Sequence, residues 1–137
     1  MGVMLGSTAV TKVWQRIENA EIHDKKQEEH IKVFVYEKRQ GFIGEYIVIN
    51  HLPFIHEENV ENGIVNINIH VPKLPSNQPD TKRLKEICTS IIELFPTDTF
   101  IDGAYYSYYC DSRPTEDNDN TYYVNLQVKV RYENLTI

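Results

Sequence analysis

A chain of 137 residues with 41% hydrophobic side chains is long enough to bury one core, and it reads as a single domain spanning residues 1–137. Twenty acidic against 14 basic side chains give a net charge of −6, which argues against a general nucleic-acid binder, because that function needs a basic face to release counterions from phosphates. No apolar run approaches the roughly 18 residues of a membrane span and no basic leader opens the sequence, so an intracellular protein without membrane contact is expected.

The chain opens with a helical rhythm. Ser7 or Thr8 can cap it, and Val10, Val13, Trp14 and Ile17 follow at i, i+3, i+4 and i+7 spacing. From Asn19 to Glu29 the sequence is polar and aperiodic, as in a loop or a frayed helix end, exposed in either case. Ile31 to Tyr36 alternates as a short strand, and Gly41 and Gly44 bracket a break. Tyr46-Ile47-Val48-Ile49 is apolar on both faces, which predicts a central strand covered on both sides.

Asn62-Gly63 is the strongest hairpin signal in the chain, and it opens the run Ile64-Val65-Asn66-Ile67-Asn68-Ile69-His70-Val71-Pro72. In that run Val65, Ile67, Ile69 and Val71 point one way, and Asn66, Asn68 and His70 the other. Pro72, Pro75 and Pro79 then forbid helix and predict an extended crossing of the surface. Asp80 caps a second helix whose buried stripe is Leu84, Ile87, Cys88, Ile91, Leu94 and Phe95, and Pro96 stops it.

Residues 99 to 110 hold a tyrosine cluster, Tyr105-Tyr106-Ser107-Tyr108-Tyr109. Asp111 to Asn120, with four acids and Pro114, reads as a solvated loop. Tyr122 to Tyr132 alternates as a long strand, with Val124, Leu126, Val128, Val130 and Tyr132 inward and Asn125, Gln127, Lys129 and Arg131 outward. The order α-β-β-β-α-β-β predicts an α+β fold: a largely antiparallel sheet of 4–5 strands with two helices packed on one face.

Reactive chemistry is sparse in this pattern. His23, His30, His51, His56 and His70 show no His-x-x-x-His spacing, and Cys88 and Cys110 form no Cys-x-x-C motif, so the histidines read as exposed and unrelated and no metal set is assigned. Cys88, on the helix stripe, reads as a buried free thiol. Ser107 and Cys110 are the nucleophiles worth naming, but neither sits in a Gly-x-Ser-x-Gly elbow, and a partner for Cys110 would have to be distant in the chain. Acidic pairs such as Asp98 and Asp102 lie in solvated segments, where carboxylates make poor acid-base catalysts. The six glycines are scattered and form no phosphate cradle. No catalytic, cofactor-binding or metal residue is therefore assigned, and an enzyme is not expected.

The tyrosines admit three uses: sheet packing, a protein interface, or a platform for bases, the last opposed by the neighbouring acids. One row, Tyr106 and Tyr108 or else Tyr105 and Tyr109, serves the core while the other faces outward. Candidate interface residues are Asn66, Asn68, His70, Tyr105 and Tyr109.

Three stretches in order carry a family likeness: Glu45-Tyr46-Ile47-Val48-Ile49-Asn50 before a proline, then Asn62 to Pro72, then Pro79-Asp80 leading into a helix. In these the chain resembles the small tail-completion or tail-terminator (head-tail joining) proteins of tailed bacteriophages. The resemblance implies a structural subunit with no cofactor that forms a ring, six copies being the expected number, at the head-proximal end of the tail. It implies the tail tube and head connector as partners, no sequence-specific nucleic acid, and a location in the host cytoplasm during assembly and in the virion tail afterwards. The competing expectation is a small host binding or regulatory module that uses the Tyr-rich strand as its interface.

Overall fold

The structure is a computed structural model that describes residues 4–57 and 60–133. Its elements in chain order are α1 (Gly6–Asn19), β1 (Lys32–Val35), β2 (Tyr46–His51), β3 (Ile55–Glu57), β4 (Val60–Pro72), α2 (Thr81–Ile92), β5 (Thr99–Ile101), β6 (Ala104–Asp111), β7 (Thr115–Glu116) and β8 (Thr121–Glu133). The fold is α+β. One curled sheet runs β1-β2-β4-β8-β6-β5, with β3 also on β4 and β7 also on β8.

Two features depart from the expected sheet of 4–5 largely antiparallel strands. The described residues form eight strands, and β1 pairs with β2 in parallel, while every other pairing is antiparallel. The extra strands, β3, β5 and β7, have three residues or fewer, too short for a period-2 pattern to show. The parallel pair arises because residues 36–45 cross back over the sheet end, helped by left-handed backbone at Tyr36, Gly41 and Gly44.

Register explains the core. Ile47 faces Ile69, which faces Val124; Ile49 faces Ile67, which faces Leu126. These side chains, with Val65 and Val128, meet Ala9, Val10, Val13 and Ile17 of α1 and Leu84, Ile87 and Ile91 of α2 in one cluster. The sheet curls round both helices: α1 packs on β1 and β2, yet Lys12 reaches Asp102 in the β5–β6 turn at 2.7 Å. β2 is apolar on both faces for a local reason. The far side of Tyr46 is covered by Phe34 and Phe42 at 6.1 and 5.9 Å between centroids.

The helix starts differ from one another. α1 follows Leu5 with no side-chain cap, so Ser7 and Thr8 fall inside its first turn rather than capping it. Asp80 does cap α2, accepting from the Arg83 backbone N–H at 3.2 Å, and it also holds Lys25 at 2.9 Å. Burial alone would raise the Asp80 pKa, but the Lys25 and Arg83 contacts prevail and hold it below the ordinary 3.8. A carboxylate with a depressed folded pKa contributes stability above the unfolded value, and that contribution is lost as pH falls below 3.8. Urea unfolding at pH 7 and pH 3 should therefore show a smaller acid loss for Asp80→Asn, which keeps an acceptor at the cap but does not titrate, than for the wild type.

Asn62-Gly63 is not the hairpin turn that its sequence signals. Both residues lie within β4, opposite Arg131 and Val130 of β8. β3 pairs antiparallel with β4 ahead of that dipeptide, Ile55 opposite Asn62 and Glu57 opposite Val60. Gly63 is demanded by space: a Cβ there would lie 2.2 Å from the Phe54 ring. Gly63→Ala should cost about 1–3 kcal/mol by displacing that ring. Measured by urea unfolding, the Gly63→Ala, Phe54→Ala double variant should lose less than the sum of the two single losses.

Candidate functional site: the open face of the sheet

The sheet face turned away from the helices is built in rows that cross the strands. Tyr46, His70 and Tyr123 make one; Val48, Asn68 and Asn125 the next; then Asn50, Asn66, Gln127 and Cys110. Beyond them come Ile64, Lys129 and Ser107, and finally Asn62, Arg131 and Tyr105.

The middle rows are a carboxamide network. Asn66 donates to Asn50 Oδ1 at 2.9 Å, and its own Oδ1 accepts from Gln127 Nε2 at 3.1 Å and from Asn125 Nδ2 at 3.2 Å. Asn125 Nδ2 also reaches Asn68 Oδ1 at 2.9 Å, and the Cys110 thiol donates to Gln127 Oε1 at 3.3 Å. The alternation that buries one face of β4 and β8 thus lines up amides on the other, where each satisfies its neighbour.

The first row is an aromatic stack. His70 lies 4.3 Å from Tyr46, nearly parallel, and 5.0 Å from Tyr123. The 117–120 turn folds over its edge. Thr121 Oγ1 donates to Asp119 Oδ1 at 2.5 Å, so its 3.0 Å contact with His70 Nδ1 is a hydrogen bond donated by the ring. Tyr46 and Lys38 both donate to Asp119 Oδ2, the lysine at 3.2 Å. Burial would raise the Asp119 pKa, but these three donors outweigh it and hold the carboxyl at about 2. Burial also lowers the His70 pKa below 6.5, so the imidazole is neutral, and it raises that of the Tyr46 hydroxyl with help from Asp119.

The opposite end opens into a trough of about 1180 Å³ whose walls include Leu52, Ile55, Ile64, Tyr105, Lys129 and Arg131. Phe100 packs edge-on against Tyr105 at 5.0 Å beside it, and is 60% exposed. A β-bulge at Tyr108 to Cys110 turns the exposed Tyr109 under the Lys129 ammonium, 4.1 Å from the ring centroid.

Asn66, Asn68, His70, Tyr105 and Tyr109 are therefore brought to one surface, in unequal roles. Tyr105 and Tyr109 are exposed, while Tyr106 is buried in the core and Tyr108 packs against it. Asn66 and Asn68 are half-buried inside the amide network, and His70 is only 6% exposed. The polar row of β4 anchors the face internally instead of lying open. The histidines also depart from the expectation of exposed, unrelated side chains: besides the stacked His70, His23 bridges to His30 with rings 5.3 Å apart. Cys110 has Gln127 rather than a histidine as its partner, and the Ser107 hydroxyl accepts from the Asp98 backbone N–H at 3.1 Å. Cys88 is a free thiol but only half-buried, packed at the margin of the core rather than inside it, and desolvation raises its pKa to about 12.

Sequence reading missed Phe100, Leu52 and Ile55 as exposed apolar positions. A signal existed for the first. Asp102-Gly103 is a hairpin dipeptide, and with φ of 45° and 93° it closes β5 against β6 and sets Phe100 opposite Tyr105.

No family model matches this chain, and no curated protein matches it. Several solved structures match, and one of them aligns with a TM-score of 0.58 at 11% identity, covering 93% of this chain and 98% of the other. That likeness is one of fold, and the name of the matched chain carries no functional word. Among the described residues no helix is long and apolar enough to cross a membrane.

Proposed function

We propose that this protein is a structural subunit of a tailed phage or prophage that closes into a ring at the head-proximal end of the tail, ends the tube and joins it to the head connector. The observation that carries this reading is the strip of exposed apolar and aromatic side chains at one end of the open face. Phe100 and Ile55 are each about 60% exposed, and Leu52, Tyr105 and Tyr109 lie beside them. Such a strip on a small domain marks an association surface. β1 and β5 are the edge strands at opposite ends of the strand order, which gives the two distinct edges that a head-to-tail ring can join, although the Trp14 indole and the Glu37 N–H already donate to the Val33 and Val35 carbonyls of β1. In this reading the protein works through surfaces and needs no cofactor. Acids of the 111–120 segment would keep DNA from sticking at a lumen. Assembly would take place in the host cytoplasm, and the ring would stay in the virion tail.

The test mixes purified protein with the tail-tube subunit from the same genome and measures tube lengths by electron microscopy. Wild type should cap tubes, and Phe100→Asp should lose capping while its circular dichroism stays native. Loss of one central aromatic anchor should weaken association by about 2 kcal/mol or more, roughly 30-fold. Tubes of unchanged length with wild type would reject the reading. The second reading, a small host module that holds one partner in the trough, is favoured by the mixed wall, where the cationic Lys129 and the Arg131–Glu133 pair stand beside the apolar Leu52, Ile55 and Ile64. Neighbouring genes separate the two: portal, capsid and tape-measure genes belong with the phage role.

A further inference from the structure

We propose that His70, Asp117 and Asp119 form a site for a divalent transition cation of the zinc class, which clamps the 117–120 turn onto the open face of the sheet. One ligand atom from each of the three residues lies within 4.8 Å of the others. His70 Nδ1 and Asp117 Oδ2 are 3.7 Å apart. Ligands held tetrahedrally round zinc at about 2.0–2.2 Å stand about 3.4 Å from one another, so closure needs only a small movement of the turn.

The donors are prepared unequally. His70 is fixed by its stack between Tyr46 and Tyr123, with Nδ1 turned to Thr121 and Asp117. The Asp117 carboxylate accepts from the Asn118 backbone N–H through Oδ1, while Oδ2 faces the imidazole and accepts no hydrogen bond among the described residues. Asp119 is ionised and already filled. Thr121 supports Oδ1, and Tyr46 and Lys38 share Oδ2.

Binding therefore requires two exchanges. The neutral His70 ring moves its proton from Nδ1 to Nε2, which frees Nδ1 without releasing a proton overall. The Lys38 ammonium yields its place at Asp119, and it has somewhere to go: it already lies 5.3 Å from the centroid of the Tyr46 ring. Lys38 is thus a built-in competitor for the cation. One imidazole nitrogen with two carboxylates selects zinc-like ions over calcium and magnesium, which favour all-oxygen sets. Thr121 hydrogen-bonded to Asp119 is the outer support that orients a ligating carboxylate.

The test is calorimetric titration of the full-length protein with zinc chloride, with calcium and magnesium chloride as parallel arms. Saturable zinc binding at one site is expected, with weaker or absent heat from calcium and magnesium. Asp117→Asn, on an exposed turn that leaves the core intact, should weaken zinc by at least about tenfold. Lys38→Met should tighten it. His23→Ala should leave it unchanged, which separates this site from the His23–His30 pair. The proposal is overturned by absent zinc binding, by equal affinity in Asp117→Asn, by loss in His23→Ala, or by calcium binding as tightly as zinc.

Discussion

Arg83→Met should destabilise the protein by about 3–5 kcal/mol, because it leaves a buried carboxylate without its counter-ion. Arg83 at the start of α2 grips Glu45, just before β2, in a bidentate pair: Nε to Oε2 at 2.7 Å and Nη2 to Oε1 at 3.0 Å. The side chains are 13% and 7% exposed. Arg83 also donates to the His23 carbonyl at 2.8 Å, and Glu45 accepts from the Lys25 backbone N–H, so one pair ties the helix, the 20–30 loop and the sheet together. After the substitution Glu45 keeps only a backbone donor among the described residues. The Arg83→Met, Glu45→Leu double variant removes both charges and should recover much of the loss, since replacing a whole buried pair is often near neutral. Urea unfolding of the three variants checks both parts.

Ile67→Ala should cost about 2–5 kcal/mol through the cavity it leaves. Ile67 is 0% exposed on β4, flanked in register by Ile49 and Leu126 and covered by helices, so the surroundings cannot collapse into the gap. Ile55→Ala is the control. Ile55 is 59% exposed on the short β3, and its truncation should stay within about 0.5 kcal/mol of wild type. Equal losses at the two positions would mean that the core does not lie where the register puts it.

The elements that were legible in the sequence are those whose side chains repeat. Residues 64–71 and 122–132 alternate long enough to fix both partner strands and the buried face of each. Val10, Val13 and Ile17 of α1 and Leu84, Ile87 and Ile91 of α2 are buried as their spacing predicts, while Trp14 and Cys88 are half-buried and Leu94 and Phe95 fall beyond the end of α2. Asp80 was readable as a cap because that chemistry is local. Asn62-Gly63 misled for an equally physical reason: a glycine needed for closeness to Phe54 looks the same as one needed for a turn. The parallel pairing of β1 leaves no local trace, since it depends on a crossover rather than on residue type.

The site was partly hidden by distance along the chain. Asn66, Asn68, His70, Tyr105 and Tyr109 could be chosen from alternation and composition, and they do share one face. That His70 is stacked and buried could not be seen, because Tyr46 and Tyr123 reach it only through strand register. The 111–120 segment read as solvated. Its Thr115 and Glu116 pair with β8, and Asp119 binds Tyr46 and Lys38, which lie 73 and 81 positions away.

Self-association into a closed ring is the centre of the functional reading, and sedimentation velocity over a range of concentrations, alone and with the tail-tube subunit, measures it most directly. The reading predicts a discrete species several times the 16.0 kDa subunit mass, six times for a hexamer, either alone or on the tube end, and its loss in Phe100→Asp. A protein that sediments as a monomer at every concentration, and that neither joins nor caps tubes, would contradict it.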